Sequence, residues 1–355
     1  MKGMLLVLLF IAVTMVAWGV YGPVLHVGQH DMDGSRWRPF VCVGLAYFVI
    51  AVLVPVAMLR TRGEIGHWSV RGTVYSLAAG AAGAVGALGI IMAFNFGGSP
   101  IYVMPLVFGC APVVNTFVTM FLARSFKAAG PLFFAGLILV AAGAVTIMVF
   151  KPELAKDEAT VPNPSEAPTT TASSPVQTTA DIALVAISII ATALCWGAYG
   201  PVLHKGQSAM AGSKLRPLIC VGLAYFLIAV IVPCAILVAA GESGDWTAKG
   251  VVWSLADGAA GAIGALGIIM AFNSGGKPIY VMPLVFGGAP VVNTFTAVVT
   301  NLLAGKEMVV NPVFYAGLII VAVGAVTVLV FSPKSGKKPS QSPVETPAPP
   351  AEAPA

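Results

Sequence analysis

The chain has 355 residues, 58% of them hydrophobic and only 9% charged, with a mean hydropathy of +0.91. Soluble domains carry about 25% charged residues, so this composition excludes a soluble enzyme, a nucleic-acid binder and a secreted disulfide scaffold. The net charge of +5, from 19 Lys and Arg against 14 Asp and Glu, fits basic loops beside a membrane. An all-α polytopic membrane protein remains, with the lipid bilayer as its partner.

A bilayer core of about 30 Å takes roughly 20 apolar residues per helix. Ten segments reach that length: about 4–24, 40–59, 74–94, 101–123, 131–150, 182–202, 218–238, 251–272, 279–303 and 313–331. The first follows Lys2 and has the outline of a signal peptide. Its copy at 182–202 is an internal span, which favours a retained helix. Cys42, Cys110, Cys195, Cys220 and Cys234 lie inside apolar runs without a CxxC spacing and read as small buried hydrophobes. Residues 152–180 (PELAKDEATVPNPSEAPTTTASSPVQTTA) and 333–355 are rich in Pro, Ser, Thr and charge. They lack the apolar residues to build a core and are expected to be disordered.

Residues 18–117 align with 196–295 without a gap, at an offset of 178, with 72 identities in 100 positions. Further on, FFAGLILVAAGAVTIMVF at 133–150 matches FYAGLIIVAVGAVTVLVF at 314–331. The chain is therefore a tandem duplication: a first repeat at 1–151, the linker at 152–180, a second repeat at 181–332 and the tail at 333–355. Five spans per copy and a polar linker put the second copy into the membrane upside down. The expected fold is ten transmembrane helices as two inverted five-helix repeats, an arrangement found in many secondary transporters.

The charges support this inversion. With the N-terminus in the cytoplasm, 13 basic residues fall inside and 6 outside, as the positive-inside rule demands. The loop at 60–73 carries Arg60, Arg62 and Arg71, whereas its copy at 238–251 keeps only Lys249. An integral protein of the cytoplasmic membrane with both termini in the cytoplasm is expected.

Several motifs occur in a fixed order. Trp18-Gly19 and Trp196-Gly197 stand in the first span of each copy, and Pro112 and Pro290 late in the fourth. Gly305-Lys306-Glu307 follows the fourth span of the second copy, and GLILVAAG (136–143) and GLIIVAVG (317–324) fill the fifth spans. In these features the chain resembles the EamA-type families of the drug/metabolite transporter superfamily. The resemblance implies ten helices, cytoplasmic termini, a central cavity and alternating-access transport of small metabolites.

The candidate substrate contacts come in pairs. The first spans carry WGVYGPVLHVGQ and WGAYGPVLHKGQ. They supply Trp18, Tyr21 and His26, and in the second copy Trp196, Tyr199 and His204. The third spans end at Asn95 and Asn273, and the fourth spans supply Tyr102, Asn115, Tyr280 and Asn293. Flat aromatic faces beside neutral polar groups suit a sugar, a nucleoside or a zwitterion. Pro105 and Pro112, with Pro283 and Pro290, each remove a helical hydrogen bond and predict a kinked or discontinuous fourth and ninth span. The cavity is expected to be lined by spans 1, 3, 4, 6, 8 and 9.

Asp257 is an acid inside a span, where the first copy has Ala79. Charge at that depth is costly and points to function, so Asp257 is the candidate for coupling to a proton or ion. His26 and His30 lie four apart beside Asp31 and Asp33, but the copy lacks that set, so no metal and no cofactor is expected. No GxSxG, HExxH or Walker motif occurs, and an enzyme is not expected. A secondary transporter, monomer or dimer, is the favoured reading. The alternatives are a passive channel or facilitator, and a membrane scaffold that recruits partners through its Pro-rich tail.

Overall fold

The computed structural model describes residues 2–124, 130–150, 152–154, 178–274, 278–303, 305 and 308–331. The linker and tail expectations fall almost wholly outside these residues, as do Lys306 and Glu307. The helices are α1 (Lys2–His30), α2 (Trp37–Thr61), α3 (Val70–Asn95), α4 (Pro100–Ala123) and α5 (Pro131–Val149). After the linker come α6 (Thr179–Ala209), α7 (Leu215–Ala239), α8 (Ala248–Asn273), α9 (Pro278–Leu303) and α10 (Pro312–Val330). Among the described residues nine helices are long and apolar enough to cross a bilayer, and α10 contributes a shorter apolar run, Pro312–Val328. The chain is thus an integral membrane protein. Two short strands, Glu153–Leu154 and Met308–Val309, pair antiparallel outside the helices.

Several helices run further than hydropathy suggested. Helix α1 continues through Pro23 to His30, so His26 and Gln29 belong to it. Helix α6 starts at Thr179 because Thr178 and Asp181 form a capping box, each side chain bonding the other's backbone N–H. Helices α4 and α9 each run as one helix through their paired prolines, so neither is discontinuous there. Neighbouring helices in a bundle can satisfy the carbonyls that proline frees.

The irregular turns lie elsewhere. Helix α2 passes through a π-helical turn at Val49–Leu53, and α7 through one at Phe226–Ile231. Each turn precedes a proline, Pro55 or Pro233, whose missing N–H releases a carbonyl four residues back. These turns are also where α2 and α7 cross. Gly44 lies against Ala229 and Val230, and Gly222 against Ala51 and Val52, with no room for a methyl group at either glycine. That close approach stacks Tyr47 on Tyr225, with centroids 3.8 Å apart and planes 3° from parallel. The order of these contacts makes α2 and α7 antiparallel. Helices α5 and α10 are antiparallel too, since Gly136 faces Val328 while Gly143 faces Val321.

The copies also interlock at their loops. Gly63-Glu64-Ile65-Gly66 recurs as Gly241-Glu242-Ser243-Gly244, and all four glycines have positive φ, which costs least without a Cβ. Each loop curls a carboxylate onto the start of a helix in the other copy. Glu242 accepts from the amides of Arg36 and Trp37 and from the Ser35 hydroxyl. Glu64 accepts from the amides of Lys214 and Leu215 and from Ser213. Arg38 and Arg216 complete the two clusters as ion pairs at 3.6 and 3.4 Å. Both acids act as remote N-caps, where an anion meets free amides and the positive helix end.

Burial opposes the charge on Glu242, but hydrogen bonds from Ser35 and from the Arg36 and Trp37 amides outweigh it and hold the carboxyl below its usual range. Its contribution to stability is therefore complete above the ordinary value of 4.5 and is lost as pH falls through the lowered native value. Glu242→Gln is predicted to destabilise the protein by about 1–3 kcal/mol at pH 7, as for loss of hydrogen bonds to a charged group. It should also flatten the loss of thermal stability between pH 5 and the acid limit. Thermal melts of both proteins across that range are the check, and equal melting points at pH 7 would refute the capping role.

Candidate functional site

A cavity of about 170 Å³ opens between α1–α4 and α6–α9. Eight aromatic rings line it: Trp18, Tyr21, Tyr47, Phe108, Trp196, Tyr199, Tyr225 and Phe286. Gly83 and Gly261 admit the tyrosines, since a methyl at Gly83 would meet the Tyr225 ring and one at Gly261 the rings of Tyr47 and Tyr21. The indoles are fixed in the same way. Trp18 Nε1 donates to the Gly261 carbonyl at 3.2 Å, and Trp196 Nε1 to the Gly83 carbonyl at 3.1 Å. Each indole lies over a second glycine, Gly264 for Trp18 and Gly86 for Trp196, where a methyl would strike the ring. The glycine-rich runs of α3 and α8 thus seat the aromatic wall, and the tryptophans sit deep in the bundle instead of at its rim.

Polar groups enter the cavity at one end. Asn115, His204 and Gln207 line it, but the matching residues of the other copy do not. Gln29, the copy of Gln207, is 3% exposed and donates its Nε2 to the Ile91 carbonyl at 3.3 Å. Asn293, the copy of Asn115, is fully buried and donates to the Pro100 carbonyl at 2.8 Å. His26, the copy of the exposed His204, stands edge-on to Phe94 with centroids 5.1 Å apart. Leu25, Ile90 and Ile91 are fully buried, whereas Leu203, Ile268 and Ile269 line the cavity. Identical sequence therefore occupies two environments. One end is open beside His204 and the other is packed shut beside His26.

Among the described residues no Lys, Arg, Asp or Glu lines the cavity. Asp257, outside the lining, is 0% exposed and has no hydrogen-bond partner for either carboxylate oxygen among the described residues. It does not sit near a loop cation. It stands one helical turn before Gly261 on the cavity face of α8, in register with Ala265 and Ile269.

The remaining candidates are dispersed. Asn95 lies at the exposed end of α3 and donates to the Gly34 carbonyl at 2.9 Å, tying a loop. Tyr102 is buried in the core at 3% exposure, away from the cavity. The side chains of Asn273, Tyr280 and Pro283 lie outside the described residues. Trp18, Tyr21, Asn115, Trp196, Tyr199 and His204 are brought together on one surface. Sequence reasoning missed Tyr47, Tyr225, Phe108 and Phe286, and with the first two the contribution of α2 and α7. One signal was available. Tyr47 begins about 15 Å into its span at 1.5 Å per residue, too deep for an interfacial tyrosine.

No protein-family model and no curated protein matches the chain. Its fold and cavity define a polytopic helical membrane protein with an aromatic chamber between its helices.

Proposed function

We propose that the chain is a secondary transporter of the EamA type, moving a small molecule across the cytoplasmic membrane by alternating access. The observation that carries this is the inequality of identical residues. Gln207 and Asn115 face an open cavity while Gln29 and Asn293 are bonded to backbone carbonyls. A stretch that adopts one conformation in the first copy is chemically able to adopt it in the second. The exchanged state, sealed beside His204 and open beside His26, then differs little in local contacts from the one described. Two such states of similar energy are what a carrier needs, and a solute that binds both allows exchange between them.

An inverted ten-helix arrangement underlies the proposal. It places the 30s and 240s loops, the 95 and 34 positions, and the 153–154 and 308–309 strands on one side. The 60s and 210s loops fall on the other. Every hydrogen bond between connecting segments, among the described residues, joins two that this arrangement puts together. The antiparallel run of α2 against α7 and of α5 against α10 supports it as well. Asp257, buried and unpartnered, is assigned the coupling step, because a lone acid at depth can hold a proton without a cation.

The sealed end should yield to mutation. Each hydrogen bond within a membrane bundle contributes about 0.6–1.7 kcal/mol, so Asn293→Ala should shift the balance toward the exchanged state by roughly three- to eighteen-fold. In a background without native cysteines, His204→Cys should react with an impermeant maleimide from the cytoplasmic side. His26→Cys should react from the outside, and faster once Asn293→Ala is added. Labelling of both positions from the same side would sink the inverted arrangement. For coupling, Asp257→Asn is expected to remove the pH-dependence of flux, and an unchanged pH profile would take Asp257 out of that step.

A further inference from the structure

We propose that a groove beside the Glu64 loop is a phospholipid site, which takes an acyl chain along its wall and the lipid phosphate at Lys214. The groove is separate from the aromatic chamber, and the proposal needs no transport through that chamber.

The groove measures about 510 Å³ and lies between α1, α2, α7 and α8. Apart from Glu64 and Lys214 its lining is apolar. Val13, Val54, Met58 and Ile263 line it and are between 37% and 46% exposed. All four belong to helices long and apolar enough to cross a bilayer, so the groove opens sideways, toward lipid. It follows α8 from Met270 to Ile263, about 10 Å at 1.5 Å per residue. Its two charged residues stand just beyond the helix ends, Glu64 after α2 and Lys214 before α7.

What fills such a groove follows from its surroundings. An apolar void does not hold water, and an empty one forfeits the dispersion contacts of its walls. The medium around a membrane-spanning helix is hydrocarbon, so the occupant is an acyl chain. Lipid tails are as apolar as leucine, and the chain alone gains little by leaving the bilayer. Selection therefore comes from the headgroup.

The charges decide which headgroup. Glu64 is already engaged. It accepts from the Ser213 hydroxyl and from the amides of Lys214 and Leu215, and it pairs with Arg216 at 3.4 Å. Lys214 is different. Its equivalent in the other copy, Arg36, pairs with Glu242 at 3.3 Å. The Lys214 ammonium enters no ion pair among the described residues. Both loops cap a helix with a carboxylate, but only this one leaves a cation over, and that residue lines the groove. An unpaired ammonium at the end of an apolar groove complements a phosphate that carries an acyl chain.

Native mass spectrometry of the full chain in detergent tests this, by titration with dioleoylphosphatidic acid and with dioleoylglycerol. The two lipids have the same chains and differ by the phosphate. One equivalent of each is expected to bind, the phosphatidic acid about fivefold tighter, as for one lysine near a charged lipid surface. Lys214→Gln should erase that preference and leave dioleoylglycerol unchanged, while Lys214→Arg should keep it. Met58→Trp, which fills the groove, should weaken both lipids at least fivefold. Arg71→Gln, which removes a cation outside the groove, should change neither.

Equal affinity for the two lipids would overturn the proposal. So would loss of the preference in Arg71→Gln, which would make the attraction one of the whole membrane face. Unchanged binding in Met58→Trp would place the lipid elsewhere and contradict it. Displacement of phosphatidic acid by inorganic phosphate alone would reassign Lys214 to a free anion. A dimer that Met58→Trp abolishes would give the groove to a second copy of the chain, and either result would refute the lipid site. Should a variant fail to fold, the comparison of the two lipids on the unmutated chain decides.

Discussion

Where α2 meets α7, each helix presses a glycine onto the π turn of the other. Gly44 accepts Ala229 and Val230, Gly222 accepts Ala51 and Val52, and the stacked Tyr47–Tyr225 pair fills the space just beyond. The rest of the structure depends on this contact. It holds the two copies at the distance where their aromatic rings close one chamber between them. A proline stands behind each π turn and keeps the ladder irregular at the crossing. The remote caps do the complementary job at the membrane faces. Glu64 and Glu242 each close the free amides of a helix that belongs to the other copy. Neither copy therefore completes its own helix ends or its own cavity.

That mutual dependence has a consequence for motion. Residues of identical sequence are open at one end of the chamber and shut at the other, and the shut end is held by few polar contacts. Gln29 to Ile91 and Asn293 to Pro100 are single hydrogen bonds of the kind that contribute about a kilocalorie in a bundle. The apolar seal of Leu25, Ile90 and Ile91 holds that end more strongly, and the same side chains exist at 203, 268 and 269 to form it at the opposite end. In the proposed exchange, what one end gains by closing the other loses by opening, so the net cost stays small while the crossing of α2 and α7 persists. Asp257 departs from this symmetry, with Ala79 in its counterpart position, which is why the proposal gives it the coupling step.

Much of the architecture was legible in the chain. Composition announced a membrane protein, apolar length located the helices but not the extensions of α1 to His30 and α6 to Ala209, and the offset of 178 exposed the duplication. Trp18, Trp196, Tyr199 and Asn115 could be picked as cavity residues because polar tips on apolar bodies rarely sit at depth without purpose. The state of each copy was not legible. Asn115 and Asn293 have the same neighbours in sequence, so no pattern tells which lines the chamber and which is bonded to Pro100. Tyr47 and Tyr225 escaped notice for a different reason. Their importance comes from a contact between copies, and local sequence carries no record of what a helix will cross. The prolines of α4 and α9 could be read two ways, as a kink or as a discontinuity, and a packed bundle carries them inside a continuous helix.

The proposed transport requires exchange between two ends of one chamber, and solute counterflow in proteoliposomes addresses that most directly. Vesicles loaded with unlabelled solute would be challenged with a labelled panel of organic cations, sugars, amino acids and nucleosides. The predicted result is saturable uptake of one class, accelerated by the same class on the far side. Flux that neither saturates nor responds to solute across the membrane would contradict it.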